Sequence, residues 1–353
     1  MLKRWRQRIT LTDIVAWAIG AAIGLAVIYG TIVTWRTAQL TSEQWINLTI
    51  DGLKLGGIYS LIALGYTLVY GILRMINFAH SEVFMSGPFT AVFLAKYLNS
   101  IGFYNKYPVI SLLLVTLLSA AVSATISILL ERIAYRPLRF APRLVPLITA
   151  IGASCFLQYT FRGMYGNDPE IYPALDILKG VIFIGPIPVP KTDVLVILSS
   201  MGLMLILFSI VQYTKMGKAM RSVSEDKETA ALMGINVDRV IVFTFTLGGI
   251  SAGIAGVLYA LIFGHVHFYM GFIPGLKAFT SAVLGGIGNV PGAWLGGTLL
   301  GLIESLGPNL FLSGFGIPAV SQLRDGIAFA ILVFILIFRP QGLLGERVGK
   351  SKM

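Results

Sequence analysis

Long apolar runs dominate this 353-residue chain and constrain its fold more than any other feature. Most of them are roughly 17–25 residues long, which is the length at which an α-helix crosses a bilayer. Charged residues make up only 12% of the sequence, against about a quarter in soluble proteins, so one water-soluble core cannot hide this apolar surface. The pattern predicts an all-α polytopic transmembrane helical bundle with about 8–10 membrane segments and broken or re-entrant helices. The apolar runs cover about 12–35, 46–73, 82–98, 109–130, 144–161, 194–213, 240–263, 276–288, 291–306 and 322–338.

Basic residues between these runs predict the orientation of the chain. They cluster before the first run, after residue 130, in the loop 214–239 and in the tail beyond 338. Cytoplasmic loops of membrane proteins carry excess Lys and Arg, so we expect both termini and the loop 214–239 to be cytoplasmic. The same distribution accounts for the net charge of +11 without nucleic acid as a partner, because no basic segment is long enough to fold alone. The run 12–35 is too long for a signal-peptide core, which favours a retained helix.

Two interruptions break the apolar pattern. "INFAHSE" (76–82) follows the second run, and "GGIGNVPG" (285–292) separates the eighth and ninth runs. At 1.5 Å per residue the segment 276–288 reaches only about 20 Å, less than a bilayer core of about 30 Å. A broken, partly re-entrant pair of helices is therefore favoured over two tilted helices in a thin region of the membrane.

These interruptions are the candidate substrate path or gate. Non-helical backbone is tolerated at membrane depth where it faces a cavity or other protein, and such breaks often mark transporter sites. For the first break, hydrogen-bonded support of the bend and a simple interfacial turn beside Arg74 remain alternatives; for the glycines, close helix packing is the alternative. The candidate residues are Asn77, Phe78, His80, Glu82, Gly285, Gly286, Gly288 and Asn289.

Other polar residues receive structural interpretations. Asp51 and Lys54 lie three apart on one helical face and are expected to pair. Glu304 and Asp325 lie near predicted helix ends, where a membrane-interface role suffices. His265 and His267 favour the outer interface over a metal site. The sequence contains no G-x-x-x-x-G-K-[ST], H-E-x-x-H, G-x-S-x-G or C-x-x-C motif, so we predict no enzymatic activity and no cofactor bound by this chain.

The loop 214–239 contains the most informative cytoplasmic stretch, "SEDKETAALMG". Ser224 is a possible helix N-cap and places the acids Glu225, Asp226 and Glu228 in a first turn, where the helix dipole favours negative charge. Gly234 can stop the helix, and a second short helix is expected before the next run. On residue chemistry alone, a docking element and a solvated connecting loop are equally compatible with this pattern.

The same loop resembles a sequence element of a known protein family. Glu228, Thr229 and Ala230, with Gly234 six residues after the glutamate, resemble the E-A-A-x-x-x-G element of ABC importer permeases, although Thr229 replaces the first alanine. The stretches "GGIYSLIALGYTLVYGILRMINFAHSEVFMSG", "GLKAFTSAVLGGIGNVPGAWLGG" and "IFRPQGLLG" resemble the LivH-type permeases of branched-chain amino acid importers. The resemblance implies that the loop couples to an ATPase through Ser224, Glu225, Asp226, Glu228, Thr229, Ala230 and Gly234.

The resemblance also implies partners and a domain division. We expect a second, LivM-like permease, two ATPase subunits that bind ATP-Mg, an extracytoplasmic substrate-binding protein and membrane lipid, in a bacterial inner membrane. Residues 1–45 form a basic segment and an extra transmembrane helix, 46–345 the permease domain, and 346–353 a basic cytoplasmic tail.

The expected substrates are branched-chain or other neutral amino acids. A urea or short-amide permease is the alternative within the class. An ion-coupled secondary transporter is the alternative from another class, and the scarcity of acids in the middle of the spans counts against it.

Overall fold

A computed structural model describes residues 11–37, 40–139, 141–142, 144–185, 187–317, 320–339 and 341–345. The predicted basic tail 346–353 and the basic residues before Leu11 lie outside the described residues. In the described part of the chain the α-helices are α1 (Leu11–Thr37), α2 (Ser42–Leu73), α3 (His80–Ser100), α4 (Phe103–Lys106), α5 (Pro108–Leu130), α6 (Leu144–Tyr165), α7 (Lys191–Tyr213), α8 (Lys215–Glu225), α9 (Lys227–Leu232), α10 (Val237–Phe263), α11 (Phe272–Gly285), α12 (Val290–Gly307) and α13 (Arg324–Phe338).

The prediction of a helical membrane bundle is confirmed. Every predicted apolar segment coincides with one of the longer helices, and in the described residues seven helical stretches are long and apolar enough to cross a membrane. Those seven are Ser42–Leu73, Pro108–Leu138, Leu144–Tyr165, Lys191–Tyr213, Val237–Phe263, Val290–Phe315 and Val320–Phe338. The apolar helix α11 has 14 residues and spans only about 21 Å, so the first member of the predicted short pair is present. The second member is not short, because α12 continues through irregular turns to Phe315 and is long enough to cross a membrane.

Helices α2 and α10 form the centre of the bundle. Their apolar windows are 83% and 72% buried, against 17% for α7, which lies at the periphery. Small residues let the backbones approach closely. A Cβ on Gly56 would lie 2.8 Å from the Cα of Thr298 on α12, and one on Gly253 would lie 2.7 Å from the Cα of Ala120 on α5. The core therefore depends on glycine contacts between α2 and α12 and between α10 and α5.

The two ends of the bundle differ in chemistry. The basic end contains Arg74, Arg136 and Arg139 and the segment 214–236. The opposite end contains the loops 99–107, 166–190 and 264–271. There β1 (Glu170–Ile171) pairs antiparallel with β4 (His265–Val266), and β2 (Val181–Ile184) forms a hairpin with β3 (Ile187–Pro190). The β4 position places His265 at the opposite end, which is where the sequence predicts the histidines to lie.

The extra helix α1 packs against the irregular turns that follow α12 and against the end of α13. Gly30 lies against Phe311 and Gly314, where a Cβ on Gly314 would lie 2.5 Å from the carbonyl oxygen of Gly30. These partners belong to the π-helical and 3₁₀ turns that continue α12 over 308–315. Gly20 lies beside Phe338 of α13. Helix α1 therefore covers the irregular end of α12.

Candidate functional site

The segment between α2 and α3 re-enters the bundle. Arg74 ends α2 in the left-handed conformation, with φ of 54°, and its N–H donates to the carbonyl oxygen of Tyr70 at 2.8 Å. The chain then turns back, and α3 begins at His80 beside Gly65 and Tyr66 of α2. Gly65 precedes Arg74 by nine residues, about 13 Å along a helix. His80 therefore lies well inside the bundle.

Burial excludes one of the three interpretations of this segment. Asn77, His80 and Glu82 expose 3%, 1% and 0% of their surface. An interfacial turn would leave polar side chains in contact with water, so that alternative is wrong. Proximity to Arg74 in sequence does not place these residues at the surface, because the left-handed conformation of Arg74 reverses the chain. A role in the substrate path and support of the bend both remain predictions.

The buried polar groups are only partly hydrogen-bonded. Asn77 Oδ1 accepts from the Tyr135 hydroxyl at 2.6 Å, and Glu82 Oε1 accepts from the hydroxyls of Ser154 at 3.2 Å and Ser81 at 3.5 Å. Asn77 Nδ2 and Glu82 Oε2 have no hydrogen-bond partner within the described part of the chain. A buried unsatisfied group costs about 1–3 kcal/mol, and buried polar groups are normally paired. The cluster is thus a strong candidate for a functional site.

The aromatic residues of this region contact neighbouring helices, and a role for Phe78 in the path stays a prediction. The Phe78 ring lies 5.6 Å from that of Phe279 on α11, and Phe84, which is fully buried, lies 5.7 Å from Tyr259 on α10. Phe78 therefore connects the re-entrant segment to α11.

The second break is closed by the C-terminal segment. Gly286 and Gly288 have φ of 107° and 97°, values at which glycine carries no steric penalty. Asn289 caps α12 by accepting from the Gly292 N–H at 2.9 Å and donates to the carbonyl oxygen of Leu344 at 3.0 Å. The Leu344 N–H in turn donates to the carbonyl oxygen of Gly285 at 2.9 Å. The "RPQGLLG" stretch thereby satisfies backbone groups that the broken helix leaves free.

The glycines of this break have different surroundings. A Cβ on Gly285 would lie 2.8 Å from the backbone nitrogen of Ala293, and one on Gly286 would lie 2.7 Å from the Cα of Gly345. Gly288 instead faces Gly71, at the end of α2, with a wider gap. Packing accounts for Gly285 and Gly286. The proposed contribution of these glycines to the path stays a prediction.

The structure brings the two breaks together. Ile76 and Asn77 from the first break and Ile287 from the second line one small cleft near the basic end. The remaining walls come from α2 and α11, through Tyr66, Tyr70, Phe279 and Ala282. Separate interruptions, far apart in sequence, therefore form a single region.

The loop 214–239, which the sequence predicts to be cytoplasmic, contains two helices, α8 and α9, and the start of α10. Asp226 caps α9 by accepting from the Glu228 N–H at 2.8 Å and the Thr229 N–H at 3.0 Å. The hydrogen bonds from Thr229 and then Glu228 hold the pKa of Asp226 below its ordinary value. The predicted N-cap at Ser224 is wrong: Ser224 and Glu225 belong to the last turn of α8, and the Ser224 hydroxyl donates to the carbonyl oxygen of Arg221 at 2.7 Å.

Helix α9 ends in a Schellman motif. Gly234 has φ of 82°, its N–H donates to Ala231 at 3.0 Å, and the Ile235 N–H donates to Ala230 at 3.1 Å. The predicted glycine stop is therefore confirmed. The predicted second short helix is wrong, because the long helix α10 begins at Val237, immediately after its cap Asn236.

The end of α9 presents apolar side chains to the surroundings. Leu232 and Met233 are 87% and 79% exposed, whereas Ala230 is 4% exposed and faces the bundle. We call residues 215–236 the coupling element, after the role that the family resemblance predicts for them.

A basic cluster connects the coupling element to the rest of the basic end. The Arg74 guanidinium donates to the carbonyl oxygen of Ser224 at 3.0 Å. Burial, and then the charges of Arg139 and Arg74, hold the pKa of Lys227 below its ordinary value. Arg139 pairs with Glu131 and with Asp238. The start of the re-entrant segment therefore contacts the coupling element directly.

Two further predictions concern charged residues, and the structure confirms one of them and corrects the other. Lys54 pairs with Asp51 at 2.6 Å, as the sequence predicts, and also with Asp193 of α7 at 3.1 Å. Glu304 is not at an interface: it is 4% exposed and pairs with buried Lys277 at 2.7 Å. The interface interpretation placed Glu304 from its position in the apolar run, whereas α12 packs that position against α2 and α11.

Sequence reasoning missed Tyr135, Ser154 and Lys277 as partners of the buried polar groups. Lys277 could have been predicted from the sequence, since a lysine inside a predicted span requires a counter-charge. Nothing in the sequence indicates the roles of Tyr135 and Ser154, because either residue is ordinary in a membrane helix. Among the described residues, no three His, Cys, Asp or Glu side chains are grouped closely enough to hold a metal ion.

The fold and site together define a multi-pass helical membrane protein whose broken helices meet at one internal region, an arrangement typical of transport proteins. A family model described as "Branched-chain amino acid transport system / permease component" matches residues 48–336. The chain belongs to this family of transport permeases.

Curated relatives align with this chain over nearly their whole length. The chain is 37% identical over 306 residues to the high-affinity branched-chain amino acid transport system permease protein BraD of Pseudomonas aeruginosa, covering 86% of this chain and 96% of BraD. It is 38% identical over 313 residues to the corresponding permease protein LivH of Salmonella typhimurium, and 39% identical over 313 residues to LivH of Escherichia coli K12; each alignment covers 86% of this chain and 98% of the relative. No solved structure matches the chain.

Proposed function

We propose that this chain is the membrane permease subunit of an ABC importer that moves branched-chain or other neutral amino acids into the cytoplasm. Family membership and the names of the relatives support the transport class and the substrate class. In this proposal the basic end faces the cytoplasm of a bacterial cell, both termini lie on that side, and the membrane is the inner membrane. The permease catalyses no reaction of its own.

The geometry of the coupling element is the observation that carries the proposal. A short helix that is capped at Asp226 and closed by a Schellman motif at Gly234 holds Leu232 and Met233 in fixed, exposed positions. Exposed apolar side chains on a rigid helix suit insertion into an apolar groove of another protein. The partner is a separate ATPase subunit that binds ATP-Mg, and two such subunits drive the transport cycle.

The region where the breaks meet is the proposed path or gate. Its polar groups, Asn77, His80 and Glu82, lie at depth, and Asn77 lines the cleft beside Ile287. A second, LivM-like permease completes the membrane domain, and an extracytoplasmic binding protein delivers the substrate to the opposite end.

Substitution of Gly234 tests the coupling role. In Gly234→Leu a side chain must adopt φ of 82°, which L-residues disfavour by roughly 1–2 kcal/mol, so the end of α9 must change shape. We expect association with the ATPases, or substrate-stimulated ATP hydrolysis in the assembled complex, to be lost.

Gly166→Leu is the matched control. Gly166 has φ of 95° and open space around it, and it lies at the opposite end. The substitution Gly166→Leu imposes similar backbone strain away from the coupling element. We expect ATPase association and substrate-stimulated hydrolysis both to be preserved. Normal assembly together with normal stimulated hydrolysis in Gly234→Leu would overturn the coupling role.

The substrate is tested by uptake into proteoliposomes that contain both permeases, the ATPases and the binding protein. We expect ATP-dependent uptake of labelled leucine that excess unlabelled valine inhibits. Uptake of labelled urea instead, or leucine uptake driven by an ion gradient without the ATPases, would contradict the proposal.

A further inference from the structure

The end of α5 departs from α-helical geometry at a buried polar position. Residues Glu131–Tyr135 form a π-helical turn, a rare conformation that is frequent at functional sites. Its first and last residues, Glu131 and Tyr135, are 0% and 1% exposed. Glu131 pairs with Arg139, eight residues further along the chain, and Tyr135 pairs with Asn77 of the re-entrant segment.

Charge pairs connect Glu131 to the start of α10, directly after the coupling element. Arg139 donates to the carboxylates of both Glu131 and Asp238, and Arg136 also pairs with Asp238. Asp238 lies in the first turn of α10, two residues after the cap Asn236, where the coupling element ends. The coupling element therefore ends two residues before Asp238, and Arg139 joins Asp238 to Glu131, the first residue of the π-helical turn.

Tyr135 is connected to the re-entrant segment. Its hydroxyl donates to Asn77 Oδ1 at 2.6 Å, between two side chains that are both buried. The Asn77 carbonyl oxygen accepts from the His80 N–H at 3.1 Å, so Asn77 lies one turn before the buried His80 and Glu82. The Tyr135 contact holds the middle of the segment, while Arg74, at its start, contacts Ser224 of the coupling element.

We propose that Tyr135 is a positioning residue that links the position of the coupling element to the conformation of residues 75–82. The connection runs through Asp238, Arg139, Glu131, Tyr135 and Asn77, which we call the relay. That ATPase subunits move the coupling element rests on the proposed function; the relay itself rests only on contacts within this chain.

Amide hydrogen exchange of the purified chain in detergent tests the relay without any partner. Asp238→Ala removes the charge pairs, and Tyr135→Phe removes only a hydroxyl. Loss of one buried hydrogen bond is expected to raise exchange at residues 76–80 by roughly two- to tenfold. In the double variant we expect no further increase over Tyr135→Phe, because both changes interrupt the same connection.

Tyr104→Phe is the matched control. Tyr104 is fully buried on α4, and its hydroxyl has no hydrogen-bond partner in the part of the chain that the structure covers. We expect no change at residues 76–80. Unchanged exchange at residues 76–80 in Asp238→Ala alone would overturn the relay. So would a double variant in which the effects of Asp238→Ala and Tyr135→Phe multiply, or equal effects of Tyr104→Phe and Tyr135→Phe. Asp238→Asn replaces Asp238→Ala if the latter does not fold.

A functional readout complements the exchange experiment. In the assembled complex, Tyr135→Phe is expected to keep ATPase association and basal hydrolysis while lowering substrate-stimulated hydrolysis, relative to basal, by roughly threefold or more. Unchanged stimulation would overturn the relay. If the wild-type chain associates with no ATPase, the proposed function fails, and the exchange experiment still decides whether the relay exists.

Discussion

Lys277 on α11 is the centre of a network of polar contacts that connects α11 to α2, α12 and α13. Its Nζ lies 2.7 Å from Glu304 Oε1 on α12, 2.7 Å from Asp325 Oδ1 on α13 and 3.3 Å from the Tyr59 hydroxyl on α2. The side chains of Lys277 and Glu304 are 6% and 5% exposed, whereas that of Asp325 is 57% exposed. The two buried members therefore dominate the energetics, and the exposed acid contributes little.

The burial pattern gives the expected magnitudes. Lys277→Met leaves the Glu304 carboxylate buried with only the Tyr59 hydroxyl, and losing one partner of a buried pair costs about 3–5 kcal/mol. Asp325→Asn removes a largely exposed charge and should cost about 0–1 kcal/mol. The double variant Lys277→Met with Glu304→Leu removes both buried charges, and well-packed apolar replacements of such pairs are often neutral or stabilising.

The free energy of unfolding, measured by SDS titration in mixed micelles, checks this reasoning. We expect Lys277→Met to be the least stable of the three variants and the double variant to recover most of the loss. A cost below about 1 kcal/mol for Lys277→Met would refute the interpretation of a buried ion pair. A double variant less stable than Lys277→Met alone would refute it equally.

Two further predictions concern the candidate site and the coupling element. Glu82→Gln keeps an acceptor for the Ser154 hydroxyl and removes the acid. We therefore expect unchanged stability but substrate uptake reduced at least tenfold, measured against the exposed control Glu43→Gln. Normal uptake would show that Glu82 is not part of the path. Asp226→Ala removes the cap of α9, so we expect faster amide exchange at residues 228–233 with the rest of the chain unaffected. Because the folded-state pKa of Asp226 is depressed, its capping is complete above the ordinary value of 3.8 and is lost only as the pH falls through a lower value. From neutral pH down to the lowered pKa of Asp226, the exchange rates of these amides, corrected for their intrinsic pH dependence, should therefore stay constant.

The coupling element shows how far local sequence reasoning reaches. Gly234 identifies the end of α9 because only a residue free to adopt positive φ fits a Schellman motif, and that property is local. The pattern predicts the N-cap of α9 at Ser224, two residues before the observed cap Asp226, because serine and aspartate are both good caps and only the extent of α8 decides between them. Met220 and Val223 of α8 are buried against the bundle, and this packing keeps the helix intact through Glu225.

The re-entrant segment shows where local reasoning stops. Its polar residues and the loss of apolar pattern indicate a break in the helices, but their depth depends on the chain reversal at Arg74. The hydrogen bond between Asn77 and Tyr135 joins residues 58 positions apart, and the ion pair between Lys277 and Glu304 joins residues of two different helices. No periodicity or motif specifies either contact.

The amino-acid sequence by itself determined the approximate positions of the apolar helices, the two breaks and the polar segment between α7 and α10. These features follow from hydrophobic run length and from glycine and capping residues, whose effects extend over one or two helical turns. Only the tertiary structure decided that the two breaks meet at one cleft, that Glu304 is buried, and that Tyr135 connects the coupling element to Asn77. Those outcomes depend on how the helices pack around α2 and α10, where glycine contacts set the distances between backbones and so determine which polar side chains reach one another.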